Sequence, residues 1–296
     1  MLALLTAALA APITPTFAWA PADGWSVAYT ESMRRSGTGP ALSVKTGARW
    51  HLAVTGSPGA LTVTATAYTL DTPSGLPSND GAGLYARALL ASAASFRLGA
   101  GGALGDLLDL PGLRLPAEKA LAAAAGLTDD DRRIAASTMS DARVTALVTD
   151  WWTALVGAWA GAPLVQGQPD AFATRTPVPA LANAVVQTDS TRTYDGPAAC
   201  TAGGATTCEA FTLHSALNPS AAGVAIGEYS RRPGALALAS LSQETTAHLV
   251  SEANDLRPRS LSIERHTHTR GAASGTPVEV DQVETRTWTF TPIAPK

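Results

Sequence analysis

Residues 144–159 read VTALVTDWWTALVGAW, and their spacing decides the fold class. The large apolar residues recur every three or four positions, which predicts a helix with one apolar face. These residues are Val144, Val148, Trp151, Leu155 and Trp159. Because the chain on both sides follows a different period, this helix is expected to lie in a helical segment between two β regions.

The helical segment is predicted over residues 116–160. Pro116 is expected to be the first residue of a helix that ends at Gly126, because proline is favoured in the first turn and glycine just after the last. Thr128, followed by three aspartates, is typical of an N-cap with an acidic first turn. The Gly-Ala-Pro at residues 161–163 ends the helical pattern.

Alternating apolar and polar residues, the period of half-buried strands, occupy residues 24–110 and 178–290. The predicted strands cover residues 25–29, 50–54, 61–67, 96–98, 104–108, 185–194, 209–217, 236–250, 260–270 and 278–290. Residues 83–94 fit a helix as well as a strand. The order of strands, helices and strands predicts one α+β domain over residues 21–296, with an antiparallel β-sheet and the helical insert packed on one side.

The first twenty residues carry no charge and begin with an apolar run, which predicts an export signal. Two small-x-small sites, of the kind at which export signals are cleaved, lie in this segment: Ala8-Leu9-Ala10 near the end of the apolar run, and Ala18-Trp19-Ala20 after it. Residues 1–20 are expected to be removed during export. Pro21 disfavours cleavage directly before it, so the exact cleavage site stays open. The alternative to an export signal is that this segment forms a buried N-terminal strand. No later segment is apolar over the ~20 residues of a membrane-spanning helix. The expected location is therefore the periplasm or the cell exterior.

Cys200 and Cys208 enclose a short loop with two glycines that allow the chain to reverse. A disulfide bond fits an oxidising compartment. Neither the cysteine spacing nor the neighbouring residues match a metal site or a Cys-x-x-Cys redox motif. The pair is therefore predicted to be a structural disulfide.

The element order resembles that of the bacterial lipoprotein-carrier type of half-barrel and of uncharacterised exported bacterial proteins like it. The resemblance spans residues 24–290 and includes the run from Asp150, Trp151 and Trp152 to Trp159, followed by Gly161 and Gly167. It implies a curved, half-barrel-like sheet with an apolar face partly covered by helices. No functional residue is carried over from it.

Composition and motifs exclude several function classes. The formal net charge is −3, without a basic stripe, so nucleic acid is not an expected partner. The chain contains no Gly-x-Ser-x-Gly, His-Glu-x-x-His, Gly-x-x-x-x-Gly-Lys or dinucleotide-binding signature. No catalytic residue and no cofactor are predicted.

Two clusters remain as candidate sites. Glu264, His266 and His268 share one face of a predicted strand, where they could bind a metal or act as an acid and base, but a solvated strand face explains them better. Trp151, Trp152, Leu155 and Trp159 form an aromatic stripe that favours core packing, with the lining of an apolar pocket as the alternative.

The function predicted best is non-catalytic binding of a lipid, another apolar ligand or an envelope partner. The alternative is a metal-dependent hydrolase that uses Glu264, His266 and His268. A hollow apolar cavity under the helices would favour the first function, and a polar cleft with a carboxylate and an imidazole would favour the second.

Overall fold

The computed structural model describes residues 11–71, 73–77, 80–137, 139–181, 184–200, 207–231, 237–253, 255–273 and 275–293. Eleven antiparallel strands in these ranges form one sheet that does not close. The strands are β1 (Gly24–Gly37), β2 (Leu42–Ser57), β3 (Ala60–Leu70), β4 (Ser95–Leu98), β5 (Leu104–Leu108), β6 (Pro169–Val178), β7 (Ala184–Ala198), β8 (Cys208–Leu217), β9 (Ala237–Glu252), β10 (Pro258–Ala273) and β11 (Thr276–Pro292).

The sheet is built from two meanders that meet at its centre. The strand order is β5-β4-β3-β2-β1-β11-β10-β9-β8-β7-β6, so the first and last strands of the chain are neighbours. Their antiparallel pairing runs from Trp25 opposite Pro292 to Gly37 opposite Val280. The short strand β5 and the proline-containing strand β6 form the two open edges.

Five α-helices accompany the sheet within the described ranges. They are α1 (Gly81–Leu90), α2 (Leu110–Ala123), α3 (Asp129–Ser137), α4 (Asp141–Trp152) and α5 (Pro219–Ser230). A π-helical turn over Thr153–Gly157 continues α4. None of the helices in the described ranges has the length and apolar character needed to cross a membrane.

One face of the sheet is covered by helices, and the period of two in the strands sets which residues lie there. In β1 the buried residues are the odd-numbered ones from Trp25 to Met33, and in β2 they are the even-numbered ones from Val44 to Val54. The pairing of Val27 with Trp50 and of Tyr29 with Trp288 brings these residues into common rows. The sequence prediction of an antiparallel sheet accompanied by helices is therefore confirmed.

Helix α2 differs from its predicted start. It begins at Leu110, with Asp109 as the N-cap and Pro111 in the first turn, and Pro116 lies inside it. The Asp109 carboxylate accepts a hydrogen bond from the Gly112 backbone N–H, and this cap starts the helix six residues before the predicted Pro116. A proline inside a helix loses one backbone hydrogen bond, and here the helix continues past it.

Two elements were missed by sequence analysis. Strand β6 lies in a polar, proline-rich stretch to which sequence analysis assigned neither helix nor strand, because an edge strand tolerates proline and exposes much of its surface. Helix α5 begins with Asn218 as the N-cap and Pro219 in its first turn, a recognisable start signal. Its weak amphipathic pattern hid it, and it packs against β7 and β9 through Ala222 and Ile226.

Residues 11–20 pack against the body of the protein, whereas residues 1–10 lie outside the described ranges. Ile13 and Leu164 exchange backbone hydrogen bonds of 2.8 Å. The Trp19 side chain is 5% exposed, and its Nε1 donates to the Leu256 carbonyl at 2.9 Å. The predicted removal of residues 1–20 stays a prediction, and a cut after Ala20 would take Trp19 out of the core.

Candidate functional site

The aromatic stripe runs from the end of α4 through the π-helical turn to Trp159 and lies in a solid core beneath the covered face, which we call the tryptophan core. Trp159 and Leu155 are fully buried, and Trp152 is 4% exposed. The indole N–H groups of Trp152 and Trp159 donate to the carbonyls of Gly102 at 3.0 Å and Ala154 at 2.6 Å, which satisfies both buried donors. The core therefore combines close packing with paired polar atoms.

Sheet and N-terminal residues complete the tryptophan core. Trp19 lies 4.6 Å from Trp25 and 5.5 Å from Trp152, measured between ring centroids. Trp151, which is only partly buried, stacks on Trp288 at 6.0 Å. Of the two predicted roles of the stripe, core packing therefore describes the contacts, and the cavities described below lie elsewhere.

The covered face changes character further along the central strands. Inward positions that are apolar at one end of the sheet become charged or polar at the other. In β11, Phe290 and Trp288 give way to Arg286 and Glu284, and in β1, Tyr29 gives way to Glu31. Glu31 lies directly opposite Arg286 in the sheet, so the change falls along one row of neighbouring strands.

Six ionisable residues around this row form what we call the ion cluster. Three are cationic and three anionic: Arg87, Arg265, Arg286, Glu31, Asp150 and Glu284. Arg286, 1% exposed in its side chain, donates to both Asp150 oxygens at 2.9 and 2.7 Å. Arg87 of α1 pairs with Glu31 and lies 3.4 Å from Glu284. The cluster thus joins two helices to the sheet through ion pairs.

Burial and the guanidinium groups act against each other in the ion cluster. Burial raises the pKa of Asp150, but Arg286 and Arg265 outweigh it and hold that pKa below its ordinary value. The pKa of Glu284 is lowered in the same way, because Arg286 and Arg87 outweigh burial. For Glu31, burial outweighs the attraction of Arg87 and raises the pKa. Asp150 and Glu284 are therefore the anions that the cluster stabilises most.

A cleft of about 430 Å³ opens beside the ion cluster. Its walls include Arg87 and Leu90 of α1 and Asp150 of α4, and its floor includes Arg265 of β10 and Glu284 of β11. The lining of the cleft combines apolar side chains with paired carboxylates and guanidinium groups, and it contains no histidine. It therefore lacks the carboxylate and imidazole pair that would have favoured the hydrolase alternative.

A separate apolar groove of about 610 Å³ lies between the end of β3, the helices α1 and α2, and the links that join them. Most of its lining is aliphatic, and the ammonium group of Lys119 and the carboxylate of Asp80 also contribute to it. The lining residues are Tyr68, Leu70, Pro73, Leu76, Pro77, Asp80, Leu84, Pro116, Lys119, Ala120, Ala123, Ala124, Ala125 and Leu127. A pocket of this size and character is typical of small-molecule sites.

A smaller cavity of about 180 Å³ adjoins the groove. Both cavities are lined by Tyr68 and Pro116, so the Tyr68 ring lies between them. Burial raises the pKa of Tyr68 to about 12. The phenol is therefore neutral at physiological pH.

The predicted cluster of Glu264, His266 and His268 lies on the uncovered face of the sheet. His266 Nε2 lies 2.8 Å from Glu264 Oε1, while His268 Nδ1 lies 2.6 Å from Asp281 Oδ1. Glu264 and His266 are more than half exposed. Among the described residues, no three His, Cys, Asp or Glu side chains are placed to hold a metal ion.

Cys200 and Cys208 form the predicted disulfide bond, with their Cα atoms 5.3 Å apart. Residues 201–206 of the enclosed loop lie outside the described ranges. Cys208 is buried at the start of β8. The bond therefore ties the end of β7 to the beginning of its neighbour.

Sequence analysis did not single out the ion cluster or the groove. The alternation within β11 did indicate the cluster, because Glu284 and Arg286 fall on the same face of the strand as the apolar Trp288 and Phe290. The groove had no comparable signal: its walls come from β3, a link and two helices, and the sequence does not reveal how these approach each other.

These features define an open antiparallel sheet with one helix-covered face, on which a solid aromatic core, a cleft with ion-paired side chains and an apolar groove lie apart. No family model and no curated protein matches the chain. A lipovitellin structure entitled "Lipid-protein interactions in lipovitellin" aligns with a TM-score of 0.42 and 9% identity, over 94% of this chain and 26% of the lipovitellin chain. An outer membrane channel from Pseudomonas putida F1 aligns with a TM-score of 0.18 and 8% identity, over 93% of this chain and 98% of the channel. The chain spans about a quarter of the lipovitellin chain, and likenesses this distant carry no argument about fold or ligand.

Proposed function

We propose that this protein is a non-catalytic binder of a small apolar ligand, which it holds in the groove between β3, α1 and α2. The observation that supports the proposal is the groove itself, about 610 Å³ with a mostly aliphatic lining. The tryptophan core, the other apolar region that sequence analysis considered, is filled by its own side chains. Lipids and other molecules with an aliphatic chain match the chemistry of the groove.

A non-catalytic role is consistent with the ionisable groups of the covered face. Asp150 is paired with Arg286 and Arg265, and Glu284 lies within 3.4 Å of Arg87 and 3.0 Å of Arg286. Carboxylates held as ion-paired anions are poorly suited to accept and return protons near neutral pH. These groups support the proposal that the cleft stabilises the fold.

We further propose that the protein is exported and that its sheet is curved like a half-barrel. The disulfide bond supports the first statement. Residues of β6 and β11 line the same cleft of about 430 Å³, although four strands separate them in the sheet. Five strand spacings would cover about 24 Å in a flat sheet, so a shared cleft supports a sheet that bends around it.

Titration with neutral aliphatic alcohols tests the binding function. Dodecanol is expected to raise the melting temperature and to displace a neutral fluorescent probe, N-phenyl-naphthylamine. Affinity should rise by about fourfold per added methylene group from octanol to dodecanol, since burial of one methylene contributes about 0.8 kcal/mol.

Two variants of helix α2 locate the binding site. Ala120 lines the groove, so Ala120→Phe fills part of it and should weaken dodecanol binding at least tenfold. Ala122 is exposed and does not line the groove, so Ala122→Phe is the matched control and should bind normally. Equal binding by both variants, or no binding of any alcohol by the unmodified protein, would contradict the proposal.

A further inference from the structure

A lysine stands at the apolar groove of a chain that otherwise favours arginine. Lysine occurs only at positions 45, 119 and 296, against a total of 21 lysines and arginines. Lys119 lies on the exposed side of α2 and contributes to the groove lining, so its aliphatic stem can rest on the apolar wall while its ammonium group stays in water. The mouth of the groove therefore carries a hydrated positive charge beside an apolar surface.

That charge is free of carboxylate partners within the described part of the chain. Lys119 takes part in none of the ion pairs found there, and Asp80 is the one described carboxylate among the lining residues. Asp80 is engaged elsewhere, since its Oδ1 accepts a hydrogen bond of 2.8 Å from the Gly83 N–H as the N-cap of α1. An ammonium group without a protein counter-ion can pair with the head of a ligand whose chain fills the groove.

We propose, building on the apolar-ligand function above, that the groove takes a single-chain amphiphile with an anionic head and that Lys119 pairs with this head. Most of the binding affinity comes from burial of the ligand's aliphatic chain against the groove walls, and this contribution is the same for any head group. The exposed ion pair supplies selectivity, worth a few-fold in affinity and sensitive to salt. The ligand class is thereby narrowed from apolar molecules in general to fatty-acid-like anions.

A comparison of dodecanoate with dodecanol, both below the concentration at which they aggregate, isolates the head group. The unmodified protein should bind dodecanoate about two- to fivefold more tightly than dodecanol at low salt. Added sodium chloride should remove that preference, because salt screens exposed charges. Dissociation constants can be obtained by displacement of N-phenyl-naphthylamine.

Lys119→Met keeps an apolar stem of similar length and removes the charge. This variant should lose the preference for dodecanoate and bind dodecanol as the unmodified protein does. Lys45, on β2, does not contribute to the lining of the groove, so Lys45→Met is the matched control and should keep the preference.

The outcomes separate the inference from the function on which it rests. Equal affinity of the unmodified protein for both ligands, or a preference that survives Lys119→Met, would overturn the role of Lys119 and leave apolar binding intact. Absence of binding for both ligands would refute the binding function as well.

Discussion

The tryptophan core and the ion cluster occupy the same face of the same strands, yet they are held together by different forces. In the core, Trp159 and Leu155 are fully buried among apolar neighbours. In the cluster, Arg286 is equally buried but is held by Asp150 and Glu284. Apolar burial stabilises a fold in proportion to area, whereas a buried ion pair mainly offsets the desolvation of its members. One face of a sheet can therefore hold regions with different responses to mutation and pH.

Removal of residues 11–20 tests the tryptophan core most severely. A chain that begins at Pro21 lacks Phe17 and Trp19, and Trp19 packs against Trp25 and Trp152. Its free energy of unfolding should be lower by about 5 kcal/mol or more than that of a chain that begins at Ala11, because each lost aromatic side chain leaves a cavity. Urea unfolding of the two chains measures the difference. Equal stability would place the N-terminal segment outside the core.

Trp159→Ala tests the same core at a single position. The substitution should lower the free energy of unfolding by about 3–5 kcal/mol, because Trp159 is fully buried and its indole N–H is hydrogen bonded. Ile134→Ala, at a residue that is 58% exposed, is the control and should change stability by less than about 0.5 kcal/mol. A loss below about 1 kcal/mol for Trp159→Ala would mean that the core is not filled as described.

Asp150→Asn tests the ion cluster. The substitution removes one of the two carboxylates that hold the buried Arg286 and should cost about 3 kcal/mol at neutral pH. Asp130→Asn is the control, since Asp130 pairs with Arg133 on the exposed side of α3 and should contribute less than about 1 kcal/mol. Equal losses in the two variants would contradict the distinction between a buried and a surface pair.

The pH dependence of the stability of Asp150→Asn further distinguishes the ion cluster from the tryptophan core. The pKa of Asp150 is lower in the folded protein, so its contribution to stability is present above the ordinary pKa and is lost as pH falls through the lowered value. The stability difference between the unmodified protein and Asp150→Asn should therefore narrow below about pH 4, where unfolded aspartate is protonated. The effect of Trp159→Ala should show no comparable narrowing, because tryptophan does not titrate.

The two regions also differ in how well the sequence predicts them. The strands and the helix of the tryptophan core follow from simple periodicity, since Trp25, Trp50 and Leu155 fall at regular buried positions. The ion cluster does not, because a polar residue at a buried position looks the same in sequence as one on a solvated face. Only the register that sets Glu31 opposite Arg286 identifies the pair.

Long-range approach limits the prediction of the groove and of the N-terminal segment. Leu84 and Leu127 line one groove, although a strand hairpin and helix α2 separate them in the chain. Trp19 bonds to Leu256, more than two hundred residues away, so the apolar N-terminal residues resemble an export signal in sequence and a core segment in the fold. Periodicity within one segment cannot report such contacts.

The location of a bound aliphatic chain tests the central claim, that the tryptophan core is filled while the groove between α1 and α2 is open to a ligand. Methyl NMR spectroscopy with dodecanol measures it through nuclear Overhauser effects between the ligand chain and leucine methyl groups. The account predicts contacts to Leu84 and Leu127, which line the groove, and none to Leu155, which is fully buried beneath the sheet. Contacts to Leu155 without contacts to Leu84 would show that the ligand enters the tryptophan core, and would contradict the account.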